Sequence, residues 1–384
     1  MGPLKGLRVV ELAGIGPAPY GCMMLGDMGA DVVRVDRLAE GESNPDVSPL
    51  SRNRRSVALD LKQKSAQEFV LSLVQKADVI VEGFRPGVAE RLGLGPDACL
   101  ARNPKIVYAR MTGWGQNGPY AQSAGHDLNY IGLTGVLHQI GPTDGKPVVP
   151  LNLIGDFGGG GLLMAYGIVC AVLEARQSGK GQVVDAAMVD GALSFMAMFF
   201  GYRARGQFED RTGRHLLGGG AHYYDVYACA DGKCLSVGAL EPQFYAAMIE
   251  KLGLPREKWI PVGFPKHSQE IVDTVWPAFK AELTAVFKTK TRAEWMKIFE
   301  GVDACVTPVL TLAEAAEHPH NRARKSFIEV DGVLQNAPAP RFSRTVPDHP
   351  KAPPRTGGDS DAVVADWGID DNVLKQARDA GALR

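Results

Sequence analysis

Residues 7–36 read LRVVELAGIGPAPYGCMMLGDMGADVVRVD, and this stretch decides the fold. Leu7 to Leu12 is an apolar run of strand length. Ala13 to Pro19 is a turn rich in Gly and Pro, a helical stretch continues to Met28, and Asp31 to Val35 is a second apolar run. Strand, helix and strand in immediate succession form the unit from which parallel sheets are assembled. Working outward, Val57 to Leu61, Val79 to Val81 and Ile106 to Arg110 read as further strands, with helical patterns at Ser65 to Lys76 and Gly87 to Leu92. The alternation predicts an α/β fold.

Beyond Asp156 two long apolar helical patterns, Phe157 to Gln177 and Asp185 to Tyr202, flank the turn Ser178-Gly-Lys-Gly181, and both read as buried. From about Tyr223 the pattern changes to short strands (Tyr223 to Ala228, Cys234 to Val237) and amphipathic helices (Gln243 to Leu252, Arg292 to Phe299), a smaller α+β unit. Residues 337–356, APAPRFSRTVPDHPKAPPRT, hold too much proline for regular helix or central strand, and a last helix is expected near Asp370 to Ala380.

Lys and Arg total 42 against 43 Asp and Glu, so the net charge of −1 gives no global attraction to nucleic acid or to an anionic membrane. Any anion site must be local. The six cysteines include no CxxC pair, which argues against a disulfide framework and a structural zinc site and for reduced thiols in the cytoplasm. The N-terminus lacks the regions of a signal peptide, and the terminal Ala-Leu-Arg is not a peroxisomal address. Phe157 to Leu173 is apolar enough to consider as a membrane span, but it is short, holds five glycines and starts beside Asp156; a buried core helix is expected.

The turn Gly14-Ile-Gly16, with Asp36 about twenty residues on, imitates a dinucleotide fingerprint but places Pro19 where the third glycine belongs. It still suits a tight strand-to-helix turn able to admit a phosphate. Arg52-Asn-Arg54-Arg55, running on to Leu59-Asp60-Leu61-Lys62, reads either as a solvated loop or as a site for clustered phosphates, and Arg85 and Arg91 add cations after another strand end. His126 and Asp156 are the acid/base candidates. Asp156 begins a Gly-rich helix start whose free N–H groups and dipole suit an oxyanion, although an N-cap role accounts for the same residue. Glu241 is either an exposed turn residue or a partner for His126. His318 and His320 are weak as metal ligands and no metal site is expected.

In this order, Leu7 to Leu12 with its turn, Gly29 to Asp36, Asn53 to Arg55 with Leu59 to Lys62, Glu82 to Gly87, Thr112-Gly-Trp-Gly-Gln116, Gly125 to Tyr130, Gly155-Asp156 and Pro340-Arg-Phe342 resemble the class III CoA-transferase and racemase family, from Leu4 to the final helix. The resemblance implies a Rossmann-like large domain from both chain ends (1–200 plus 330–384), a small domain (223–329), a linker at 201–222, and an interlocked homodimer. It places CoA on Arg37, Leu59, Asp60, Leu61, Lys62, Gly83, Phe84, Arg85, Arg91, Gly125, Asp127, Leu128, Asn129 and Tyr130. His126 with Asp127, Gly155-Asp156-Phe157 and Glu241 resemble the racemase branch, with His126, Asp156 and Glu241 as its catalytic residues. That branch implies epimerisation of 2-methylacyl-CoA through an enolate. Neither metal nor redox cofactor is needed, because His and Asp carry both protons. The alternative within the family is CoA transfer through an acyl anhydride on Asp156; a non-catalytic nucleotide-binding module leaves His126 and Asp156 without purpose.

Overall fold

Val9, Val32, Val79 and Val107 face one side of a sheet while Val10, Val33, Ile80 and Tyr108 face the other, and all eight are buried. Period-two alternation with both faces apolar is what a parallel strand covered on both sides requires. In the computed structural model, which describes residues 2–38, 47–264, 268 and 270–383, these residues belong to a six-stranded sheet. Its elements, with the helices between them, are β1 (Arg8–Leu12), α1 (Pro17–Asp27), β2 (Asp31–Arg37), β3 (Arg54–Leu59), α2 (Lys64–Val74), β4 (Val79–Glu82), α3 (Val88–Arg91), α4 (Pro96–Arg102) and β5 (Val107–Thr112). After these come α5 (Asp127–Leu133), a π-helix (Leu153–Leu162), α6 (Leu163–Ser178), β6 (Gln182–Ala187) and α7 (Met188–Ser194). Every pairing is parallel, and the order β3-β2-β1-β4-β5-β6 is that of a doubly wound nucleotide-binding sheet.

The chain divides into two units, residues 1–134 with 151–196 and 325–384, and residues 135–150 with 197–324. In the first, one sheet face is covered by Ala18, Cys22 and Leu25 of α1 with Met164 and Ile168 of α6. The other is covered by Phe69, Val70 and Leu73 of α2 and by Val363, Trp367 and Ala377 of helices Ser360–Trp367 and Asp371–Asp379. Asp60 N–H donates to Ala382 O at 3.0 Å, so the C-terminal end is fastened to the sheet beside β3. Residues 337–356 form neither helix nor strand.

The second unit holds an antiparallel sheet, β7 (Tyr224–Ala228), β8 (Cys234–Gly238) and β9 (Val306–Pro308), over a core of Tyr223, Tyr227, Tyr245, Trp259, Trp276 and Trp295. Residues 201–222, expected to link the domains, lie within this unit, and so do 135–150. Hydrogen bonds explain both. Asp144 N–H donates to Thr212 O at 3.0 Å and Gln139 Nε2 to Asp210 Oδ1 at 2.7 Å, while Leu216 and Ala221 are buried in the aromatic core.

Two further expectations are corrected. Asp185 to Ala187, expected to open a helix, belong instead to the edge strand β6; Gln182, Val183 and Asp185 are exposed, so the strand lacks the continuous apolar run of the inner strands. The apolar stretch Leu153–Ser178, long and apolar enough by composition to cross a membrane, is buried on one face only. Met164, Ala165, Ile168, Ala171 and Ala175 pack on the sheet, whereas Leu162, Tyr166, Val169 and Leu173 are exposed.

Candidate active site

In an open parallel sheet the strand order reverses between β1 and β4, and the loops that leave the strands there diverge to leave a crevice. A cavity of 370 Å³ opens at that point. Gly14, Ile15 and Gly16 after β1, Gly83, Phe84 and Arg85 after β4, and Gly113 and Trp114 after β5 line it, together with Gly125, His126, Tyr130, Asp156 and Met188. The first turn of α1 borders it, so the positive end of that helix dipole faces the cavity. Prolines at positions 17 and 19 leave that turn few N–H donors.

His126 and Asp156 therefore share one cavity. His126 caps the start of α5, where its backbone N–H donates to Asn129 Oδ1 at 3.0 Å, and its imidazole is exposed. Asp156 is not an N-cap: Asn152 holds that position, and Asp156 lies in the first turn of the π-helix, accepting from Asn152 Nδ2 at 3.0 Å. Gly16 (φ 73°) approaches so closely that a β-carbon there would stand 3.4 Å from Asp156 Oδ2.

The glycines after Asp156 serve packing. A β-carbon on Gly161 would lie 2.4 Å from Pro17 O, and one on Gly191 1.9 Å from Gly159 O, so the π-helix lies flush against α1 and α7 only because these side chains are absent. The N–H groups of Gly155 and Asp156, expected to be free for an oxyanion, donate instead to Asp127 Oδ2 at 2.5 and 2.7 Å. Asp127, expected to contact CoA, is buried beneath the site, and burial pushes its carboxyl above the usual range against those two donors.

Of the other expected CoA positions, Gly83, Phe84, Arg85, Gly125 and Tyr130 line the cavity. The loop after β4 is shaped by buried Glu82, which accepts from Phe84 N–H at 2.6 Å and from Arg110 Nε at 2.9 Å. Burial raises the Glu82 carboxyl, and both donors oppose the shift. Tyr130 bonds Gly125 O; burial raises its phenol, Asp156 reinforces the shift and Arg85 counters it, so all three share one electrostatic environment. Arg37 and Leu59 are register partners at the ends of β2 and β3, followed by Asp60, Leu61 and exposed Lys62. Asp60 is lowered by Gln63 and by the Lys62 N–H. Arg91 ends α3, and Leu128 and Asn129 face a second depression with Trp114, Tyr120 and Leu133.

The basic cluster does not join the site. Arg52 pairs with Asp27 and donates to Gln335 Oε1 at 2.7 Å, Arg54 pairs with Glu11, and Arg55 pairs with Asp31 and Asp366. Strand β3 begins at Arg54, three residues before the expected start, so Arg54 and Arg55 are strand residues. By contrast Arg37, Lys62, Arg85 and Arg91 are exposed and make no ion pair among the described residues. Glu241 is exposed at the start of helix Pro242–Lys251 in the second unit. Trp114, whose ring lies 5.0 Å from Tyr120 and 4.8 Å from Tyr130, and Met188 are lining residues that the sequence reading did not single out; Thr112-Gly-Trp-Gly-Gln116 was the signal for the former.

Comparison with known proteins agrees with this architecture. The chain is 44% identical over 376 residues to "Alpha-methylacyl-CoA racemase" of Mus musculus and 42% identical to that of Homo sapiens, in both cases covering 97% of this chain and 95% of the relative. The crystal structure of a CAIB/BAIF family protein from Brucella suis matches with a TM-score of 0.80 at 26% identity, over 95% of this chain and 99% of that one. The family model described as "CoA-transferase family III" matches residues 4–360, and the chain belongs to that family.

Proposed function

We propose that this protein is an isomerase that interconverts (2R)- and (2S)-2-methylacyl-CoA thioesters by 1,1-proton transfer. The observation that carries the reading is that His126 and Asp156, two proton carriers of different kinds, line one cavity that also holds Arg85. Epimerisation at Cα requires one group to take the proton from one face and another to deliver a proton to the opposite face. In one direction the His126 imidazole accepts the proton and the Asp156 carboxyl donates; the reverse direction exchanges the roles. Between the steps the thioester oxygen carries enolate charge, which the positive end of α1 favours. Arg37, Lys62, Arg85 and Arg91 are proposed for CoA phosphates, whose binding positions the reacting carbon. Both proton transfers use side chains alone, so no metal or redox cofactor enters the proposal.

The active form is proposed to be an interlocked, cytoplasmic homodimer in which Glu241 orients His126. The exposed stripe Leu162, Tyr166, Val169 and Leu173 supports association, since side chains at this spacing share one helix face. No nucleic acid or membrane partner is proposed.

Incubating one epimer of a 2-methylacyl-CoA in heavy water tests the reading. Both epimers should form with deuterium at Cα, and His126→Ala and Asp156→Ala should each slow epimerisation by about 10²–10⁴-fold while CoA still binds. A stoichiometric acyl or CoA adduct on Asp156, with His126→Ala fully active, would establish CoA transfer instead.

A further inference from the structure

We propose that Asp127 is the positioning residue that holds the two proton carriers in register: it follows His126 directly in the chain, and its side chain grips the backbone that presents Asp156. This rests on the reading above that His126 and Asp156 carry the protons. The Asp127 side chain is inside the protein, at 3% exposure, and its Oδ2 takes the N–H groups of Gly155 and Asp156 at 2.5 and 2.7 Å. Two charge-assisted bonds from consecutive amides fix the two successive peptide planes that lead into Asp156, and with them the direction of its side chain. One carboxylate thus ties α5, which His126 caps, to the π-helix that carries Asp156.

Gly155 is part of the same device. A β-carbon there would lie 2.7 Å from Asp127 Oδ2 and 3.2 Å from Asp127 Cα, so only glycine lets the backbone reach the carboxylate. The other oxygen, Oδ1, is buried with no hydrogen-bond partner among the described residues. Leaving one oxygen of a buried carboxylate bare is costly, and surface capping does not require it. The placement is explained by a positional demand on the two amides, whose misalignment would move Asp156 relative to the reacting carbon. The Asp127 side chain acts on the reaction only through Asp156.

The test compares Asp127→Ala, Asp127→Asn and Gly155→Ala in the full chain. Amide hydrogen exchange at residues 155 and 156 should accelerate in Asp127→Ala and stay near the parent rate in Asp127→Asn, whose side-chain oxygen still accepts both N–H groups. In turnover of 2-methylacyl-CoA, Asp127→Ala should lose about 10²-fold in kcat, as expected for an ångström-scale misplacement, with KM nearly unchanged; Asp127→Asn should recover most of it. The loss should fall on proton exchange from the epimer that Asp156→Ala also silences, more than on the other. Gly155→Ala, which pries the clamp open from the opposite side, should reproduce that bias and keeps the test available should Asp127→Ala fail to fold. Unchanged amide exchange in Asp127→Ala, or equal loss for both epimers together with lost CoA affinity, would overturn the positioning role. If the parent protein epimerises no 2-methylacyl-CoA, the functional reading fails by itself, and amide exchange still decides whether the clamp exists.

Discussion

Arg110 Nε donates to Glu82 Oε1 at 2.9 Å across the last register pair between β4 and β5, and the other Glu82 oxygen holds the N–H of Phe84, one residue before Arg85. A buried ion pair thus shapes a loop that lines the cavity. Removing the cation in Arg110→Met leaves a buried carboxylate short of its partner, a change that typically costs about 3–5 kcal/mol. Glu82 already lies above its usual range because of burial, and loss of Arg110 raises it further. A raised folded-state pKa means that the native state holds its proton more tightly than the unfolded chain does. Stability is therefore retained at low pH and lost as pH rises through the folded value. Chemical denaturation of Arg110→Met should show a deficit that is larger at pH 8 than at pH 5; a pH-independent deficit would show that Glu82 does not titrate there.

The arginines separate into two classes by their partners, and mutation should separate them too. Arg85→Ala and Arg91→Ala remove exposed cations without ion pairs among the described residues, so CoA affinity measured by calorimetry should fall about tenfold or more, with little change in melting temperature. Arg52→Ala opens a fully buried pair with Asp27 and should instead lower stability by about 3–5 kcal/mol while leaving CoA affinity in the folded fraction intact. The reverse pattern would return the 52–55 cluster to the phosphate site.

These classes mark the limit of what the sequence discloses. Inner strands are legible because both sides of each are apolar, as in Val79 to Val81, and the turns at Gly14 and Gly83 are legible because they follow strand ends. Edge strand β6 is not, since exposed Gln182, Val183 and Asp185 give it no apolar signature. Nor can a run of arginines announce whether each has a buried carboxylate: Asp27, Glu11 and Asp31 are distant in sequence from Arg52, Arg54 and Arg55 and meet them only through the pairing of β3 with β2 and its packing beside α1. The grip of Asp127 on the amides of Gly155 and Asp156 is hidden for the same reason, its partners being 28 and 29 residues away.

In the second unit, His222 is fully buried among aromatic rings, its Nε2 2.8 Å from Tyr245 Oη and its Nδ1 without a partner among the described residues. Burial, aided by Lys280, lowers its pKa from 6.5 to about 3. The fold therefore carries a neutral imidazole, while the unfolded chain binds a proton below about pH 6.5. Stability should be full above that value and decline as pH falls toward 3, by on the order of 4–5 kcal/mol. Denaturant midpoints between pH 7 and 4 should fall in the parent protein and flatten in His222→Phe. Parallel slopes would assign the acid sensitivity to other groups.

The last prediction concerns the face of α6 that the sheet leaves uncovered. Leu162, Tyr166, Val169 and Leu173 are 44, 66, 41 and 60% exposed, and they recur at intervals of four, three and four residues along one helix face. Phe195 and Leu153 are exposed as well. Water contact at so much apolar area is unfavourable by roughly 25 cal/mol per Å², and a second copy of the chain would relieve it. Leu173→Arg introduces a charge on this stripe without touching the buried positions Met164, Ile168 and Ala171. A dimer built on this face should dissociate in that variant, as read by light scattering at micromolar concentration. The melting temperature should then fall and, in the parent protein, should rise with protein concentration. If epimerisation needs a residue from the second copy, such as Glu241, activity should fall with the fraction of dimer and return at high protein concentration. A monomeric Leu173→Arg protein with full activity would remove both the interlocked assembly and the role proposed for Glu241, while leaving His126 and Asp156 untouched.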